Sequence, residues 1–97
     1  MTILLICADM DRQNAQKEAL KRAGFNILSA QSVAEGWAKV DYFDITAIVI
    51  DSKFANDIGA SAFRQRFITW TLQPEVPQAE VAMELASVLR GGSKLLQ

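Results

Sequence analysis

Two short runs of almost uninterrupted apolar residues constrain the fold of this chain more than any other feature. Residues 2–7 read TILLIC and residues 45–50 read ITAIVI. A strand with one solvated face alternates apolar and polar residues, whereas a strand covered on both faces is apolar throughout. Both runs therefore predict central strands of a sheet that carries helices on its two faces. Each run is far shorter than the ~20 apolar residues of a membrane-spanning helix, so we expect no membrane span.

The rest of the chain alternates predicted strands with predicted helices. The strands cover residues 2–7, 25–30, 45–50 and 67–72, and the helices begin near residues 9, 32, 58 and 77. Gly24 and the glycine pair at 91–92 are typical helix ends. Ser32 and Glu35 form a capping box at the start of the second helix. Four strand–helix units in strict alternation predict an α/β fold with a parallel sheet in the middle of three layers.

Composition sets the class of protein and excludes several kinds of site. With 97 residues and 51% hydrophobic residues, we expect one packed domain over residues 1–92 and a flexible tail over residues 93–97. The net charge is −1 and the basic residues are scattered, which argues against a nucleic-acid partner. The chain has no histidine, and Cys7 is its single cysteine. Serine–histidine or cysteine–histidine catalysis and Cys/His zinc sites are therefore excluded, and a reducing, cytoplasmic location is favoured.

Asp51 is the candidate functional residue that the strand pattern itself points to. It ends the apolar run of the third strand, and the carboxyl ends of strands are where α/β sheets place their sites. A phosphoryl-accepting aspartate also needs a divalent cation held by further carboxylates and fixed donors for the phosphoryl group. Asp9, after the first strand, is a candidate metal ligand, and its other interpretation is a helix-start acid. The alternative interpretation of Asp51 is an unmodified acid at the tip of a strand.

Three segments in the right order resemble the receiver domain of response regulators. They are residues 3–6 with Asp9 and Asp11; residues 25–30 with Ser32 and Glu35; and residues 44–51 with Asp57 and Gly59. The resemblance covers residues 2–60 well and becomes loose over residues 61–90. It implies a flavodoxin-like parallel sheet with Asp51 at the phosphoacceptor position, here shortened to about four strands in the order 2-1-3-4.

The chain departs from the receiver pattern at the residues that handle the phosphoryl group. Receivers carry two adjacent acids after the first strand, which help to hold magnesium, and those positions are Cys7 and Ala8 here. Receivers also place a lysine at the tip of the last strand, whereas residues 60–89 contain no lysine. A receiver has five strand–helix units, and this chain has room for four. In this resemblance, the fourth predicted strand corresponds to the last strand of a receiver domain.

These departures predict an atypical receiver that acts as a phosphorylation-independent protein-interaction or dimerisation module. No catalytic residue and no cofactor is expected, and the partner is another protein or a second copy of the chain. The loss of one unit would expose a strand edge and apolar surface. Phe63, Phe67 and Trp70 are the candidates for that surface, and their other interpretation is burial in the core.

Two alternatives remain open at this point. In the first, the chain is a divergent receiver that is phosphorylated on Asp51 with a magnesium ion held by Asp9 and Asp51, while Lys53 or a threonine, Thr69 or Thr71, binds the phosphoryl group. In the second, it is a truncated or engineered flavodoxin-like domain with a structural role only.

Overall fold

The computed structural model of the chain describes residues 1–73 and 75–95. The strands are β1 (Thr2–Ile6), β2 (Asn26–Ala30), β3 (Ala47–Asp51) and β4 (Ile68–Leu72). The helices are α1 (Met10–Arg22), α2 (Val33–Tyr42), α3 (Ile58–Arg66) and α4 (Gln78–Leu95), and a 3-10 turn, Ser52–Phe54, follows β3. The predicted strand–helix alternation is confirmed over these residues. None of the helices within them is long and apolar enough to cross a membrane.

The four strands form one parallel sheet in the order β2-β1-β3-β4. The register places Leu4 of β1 between Leu28 of β2 and Ile48 of β3. All residues of β3 are buried, whereas most residues of the two edge strands are partly exposed. The predicted strand order is confirmed, and the two apolar runs are the central strands because both of their faces are covered.

Alternate residues of the central strands point into two separate cores. Ile3, Leu5 and Val49 pack on the face covered by α1 and α4. The intervening residues Ile6 and Ile48 pack on the face covered by α2 and α3. Each of these aliphatic side chains contributes roughly 1.5–3 kcal/mol on full burial, so the apolar pattern of two strands fixes both helical layers.

The ends of the first two helices follow their sequence signals. The Asp9 carboxylate accepts hydrogen bonds from the backbone N–H groups of Asp11 and Arg12 and caps α1. Gly24 has a φ of 96°, a left-handed conformation that suits glycine after a helix. At α2, Ser32 Oγ accepts from the Glu35 N–H at 3.1 Å. The Glu35 carboxylate accepts from the N–H of Gln31, not from that of Ser32, so the capping box is shifted by one residue on that side.

The last helix differs from its prediction at its C-terminal end. It begins directly after Pro77 and continues through Gly91 and Gly92 to Leu95, so the expected end at the glycine pair is wrong. Glycine lowers helix stability by about 1 kcal/mol relative to alanine but does not forbid helical backbone angles. Residues 96 and 97 of the expected tail lie outside the described residues.

Helices α2 and α3 lie close together over one face of the sheet. Their shared core holds Trp37 and Phe63, whose rings stack at 4.3 Å between centroids, and Trp37 Nε1 donates to the Gly59 carbonyl oxygen at 3.1 Å. Phe63 is fully buried. Its assignment to an interaction surface is therefore wrong, because the close packing of the two helices covers the ring.

Candidate functional site

The carboxyl ends of the four strands lie at one edge of the sheet, where side chains from the first turn of α1 bind them. We call Cys7, Arg12, Gln13 and Asp51 the strand-end cluster. Asp51 is buried, at 5% exposure, and Cys7 and Gln13 are buried as well. The cluster occupies the position at which a parallel α/β sheet usually places its functional site.

The dominant contact of the strand-end cluster is an ion pair between Arg12 and Asp51. Arg12 Nη1 donates to Asp51 Oδ2 at 3.2 Å, and Nη2 donates to the carbonyl oxygen of Leu72, the last residue of β4, at 3.4 Å. Arg12 is the third residue of α1, and helical side chains lean towards the N-terminus of their helix. The guanidinium therefore reaches back over the tips of β3 and β4.

Two further groups bind the Asp51 carboxylate. The backbone N–H of Lys53 donates to Oδ1 at 3.1 Å, and the Cys7 thiol lies 3.4 Å from Oδ2. Burial raises the pKa of the Cys7 thiol above its ordinary value of 9.0, and the hydrogen bond to Asp51 raises it further. The sulfur is therefore protonated at neutral pH and serves as a donor. Both carboxylate oxygens thus have partners within the chain.

Gln13 binds the other two strands of the sheet. Its Nε2 donates to the carbonyl oxygens of Cys7, after β1, and Ala30, at the end of β2, at 2.9 and 3.0 Å. Together, Arg12 and Gln13 contact the ends of all four strands. Sequence reasoning missed both residues. The signal that could have found them is a cation and an amide in the first turn of a helix that directly follows a central strand.

The residues at this edge do not fit a magnesium ion, which the receiver resemblance implies. Magnesium prefers several oxygen ligands in near-octahedral geometry, but Cys7 and Ala8 provide no side-chain oxygen. The exposed Asp9 uses Oδ1 to cap α1, and Asp51 Oδ2 binds Arg12. Over residues 1–73 and 75–95, no group of three or more Cys, Asp or Glu side chains is arranged to hold a metal ion.

The side chains predicted to bind a phosphoryl group make contacts elsewhere. The Lys53 ammonium lies 6.0 Å from the centre of the Phe54 ring, and only the backbone of Lys53 contacts Asp51 in the described hydrogen bonds. Thr69 Oγ1 donates to the Phe67 carbonyl oxygen, and Thr71 Oγ1 accepts from Arg64. These contacts place none of the three side chains on the Asp51 carboxylate.

Phe67 and Trp70, the other two residues of the predicted interaction surface, are partly exposed. Trp70 packs against the core beneath α1 and α4, and Phe67 packs against the core beneath α2 and α3. The Arg66 guanidinium lies 5.4 Å from the ring centres of both Trp37 and Phe67. Their role in binding a partner stays a prediction.

Comparison with known proteins gives a likeness of fold. No protein-family model matches the chain, and the search of curated proteins found no match. A response regulator from Thermotoga maritima superposes with a TM-score of 0.61 at 19% identity, over 91% of this chain and 76% of the regulator. An adenylate cyclase structure from Rhodopirellula baltica superposes with a TM-score of 0.55 at 12% identity, over 98% of this chain and 96% of that one. The strand order, the two helical layers and these likenesses show that the chain has a parallel α/β fold similar to that of the response regulator.

Proposed function

We propose that this domain is an atypical receiver that acts in cytoplasmic signalling as a phosphorylation-independent protein-interaction module. The observation that carries the proposal is the bond between the Arg12 guanidinium and Asp51 Oδ2, at 3.2 Å. The receiver resemblance assigns the neutralisation of this carboxylate to a magnesium ion. An arginine of the same chain supplies the positive charge instead.

The geometry of Asp51 disfavours phosphoryl transfer in two ways. A carboxylate has about four lone-pair sites, and three donors bind the buried Asp51, two on Oδ2 and one on Oδ1, which lowers its nucleophilicity. A phosphoryl group also brings a charge of about −1.5 to −2 at neutral pH. A single guanidinium with no bound cation balances that charge incompletely, so the modified state gains little stabilisation at this site.

A fixed internal cation has a direct consequence for signalling. A ligand or modification shifts a protein between two states only if it interacts differently with each of them. Because Arg12 holds Asp51 and the end of β4 without a ligand, the domain presents one surface at all times. Binding to a partner is then controlled by partner concentration and not by phosphorylation of Asp51.

Phosphoryl donors provide the test of this proposal. The domain is incubated with magnesium chloride and acetyl phosphate, and its intact mass is measured, with Asp51→Asn as the matched control. We expect that neither the wild type nor the variant gains mass, because no phosphoryl group is held. The gain of one phosphoryl mass in the wild type, absent from Asp51→Asn, would show a working receiver and sink the proposal.

A further inference from the structure

The sheet has an open edge at β4 that lacks the usual protection against strand pairing. Over the described residues, β4 pairs with β3 alone. Ile68 is 49% exposed, and residues 69–71 are partly exposed. Natural edge strands are commonly protected by charged residues, proline or a bulge, and β4 (ITWTL) contains no charged residue and no proline. Its outward N–H and C=O groups can therefore pair with another extended strand.

The sequence of β4 indicates which strand that is. ITWTL is nearly the same in both directions, with a tryptophan at its centre, threonine on each side and a branched aliphatic residue at each end. Antiparallel pairing about a two-fold axis at Trp70 places Trp70 opposite Trp70 of a second copy. It places Thr69 opposite Thr71 and Ile68 opposite Leu72. Aromatic pairs and threonine pairs are stabilising cross-strand contacts.

The other edge of the sheet does not share this property. In β2 (NILSA), the same operation about Leu28 places Ile27 opposite Ser29 and Asn26 opposite Ala30. These pairs join apolar with polar side chains. The β4 strand is therefore complementary to a second copy of itself, whereas the β2 strand is not.

Charge on both sides of β4 supports the same arrangement. Arg66 precedes the strand, with its guanidinium 5.4 Å from the centre of the Phe67 ring, Glu75 follows the strand, and both are exposed. Antiparallel pairing brings the start of one strand beside the end of the other, so Arg66 of each copy lies near Glu75 of the other copy. Parallel pairing would place arginine beside arginine instead. A two-fold antiparallel contact is therefore favoured by the charges as well as by the strand sequence.

We infer that the partner of this domain is a second copy of the same chain, bound through antiparallel pairing of the two β4 edges into one continuous eight-stranded sheet. This inference rests on the proposed function, because it names the partner of the interaction module. Five paired residues on each side bury less than the ~1,200 Å² of a standard stable interface. We therefore expect a weak dimer whose population depends on protein concentration.

Charge pairs at Thr69 and Thr71 test both the edge and the register. The variants Thr69→Lys/Thr71→Lys and Thr69→Glu/Thr71→Glu each place like charges directly opposite one another across the two-fold axis. Both lose the same threonine contacts within the chain. Asn26→Lys/Ser29→Lys adds two lysines at the β2 edge as the matched control. Sedimentation equilibrium over a concentration series gives the dimer dissociation constant of each protein, and circular dichroism confirms that each is folded.

The expected pattern is specific to the β4 edge. Wild type and the β2 control dimerise, whereas the lysine and glutamate variants each raise the dissociation constant at least about tenfold, since like charges are opposed. An equimolar mixture of the lysine and glutamate variants restores the dimer, because opposite charges then face each other. A monomeric wild type at all concentrations, a dimer that persists in the lysine variant, or a mixture that stays monomeric overturns the inference.

Hydrogen exchange on the wild type gives a second reading that needs no variant. The amides of β4 should become more protected as protein concentration rises, while those of β2 stay unchanged. Equal protection of β4 at low and high concentration would contradict the inference. These results are separate from the phosphoryl-donor test. If the domain is inert to acetyl phosphate but forms no β4 dimer, the proposed function stands and the inferred partner is wrong.

Discussion

At the scale of single residues, Arg12 supplies Asp51 with a positive charge that is covalently attached to the chain. A metal ion exchanges with solvent, whereas an arginine side chain stays attached and stays charged at all physiological pH values. Its fork geometry also lets one guanidinium contact two strands, through Asp51 Oδ2 and the Leu72 carbonyl oxygen. The same contact therefore neutralises the candidate acceptor and attaches the end of β4 to α1.

Removing Arg12 should reduce stability mainly through Asp51. Arg12→Ala is expected to lower the free energy of unfolding by about 1–3 kcal/mol, less than for a fully buried pair, because the Arg12 side chain is 23% exposed. In an Asp51→Asn background the same change should cost less, since no charge is left unpaired. Urea denaturation of the four proteins gives the coupling. The exposed Lys21→Ala serves as the control, and an equal cost of Arg12→Ala in both backgrounds would contradict the ion pair.

The sequence located Asp51 but not its partner, for a physical reason. Asp51 stands at the end of an apolar run, so its place at the strand tip follows from local pattern alone. Arg12 lies 39 positions away in the chain, and its contact depends on how α1 crosses the sheet. That crossing is a product of tertiary packing, which no local pattern encodes. The receiver resemblance puts Cys7 and Ala8 where that family has two acids, which predicted the lack of a cation site but not the arginine that binds Asp51.

At the scale of elements, close approach of α2 and α3 depends on two glycines. A Cβ added at Gly36 would lie 2.7 Å from the Ile6 side chain, and one at Gly59 would lie 2.5 Å from that of Val33. These distances are shorter than real Cβ contacts, so with larger residues either the Ile6 and Val33 side chains or the elements that carry them would have to shift. The helices themselves were predicted from caps and apolar spacing, but their separation was not, because it depends on side chains from different elements.

Adding a methyl group at Gly36 should destabilise the domain despite the better helix propensity of alanine. Alanine favours the helix by about 1 kcal/mol over glycine, whereas overpacking a core costs typically 1–3 kcal/mol. The net expectation is that Gly36→Ala lowers the free energy of unfolding by up to about 2 kcal/mol, measured by urea denaturation. Ala38→Gly on the exposed face of α2 measures the propensity effect separately. A more stable Gly36→Ala protein would show that α2 or the Ile6 side chain has room to shift.

At the scale of the whole molecule, the domain combines a receiver-like architecture with a short sheet. Four parallel strands place β4 at an edge beside β3, and α1 with α4 and α2 with α3 cover the two faces. The edge lies on the outside of the molecule, while the strand-end cluster is closed by contacts within the chain. The molecule thus has an open edge where binding can occur and a closed site where receivers do their chemistry.

We predict that magnesium does not bind beside Asp51, and a titration followed by backbone amide NMR tests this most directly. Magnesium chloride is added to millimolar concentration, and sodium chloride of equal ionic strength is the control. We predict that the amide signals of Cys7, Arg12, Asp51 and Lys53 shift equally in both salts, because the Arg12 guanidinium already binds the carboxylate. A saturable shift of these signals with magnesium alone would contradict the central claim, since it would place a metal ion where the structure places Arg12.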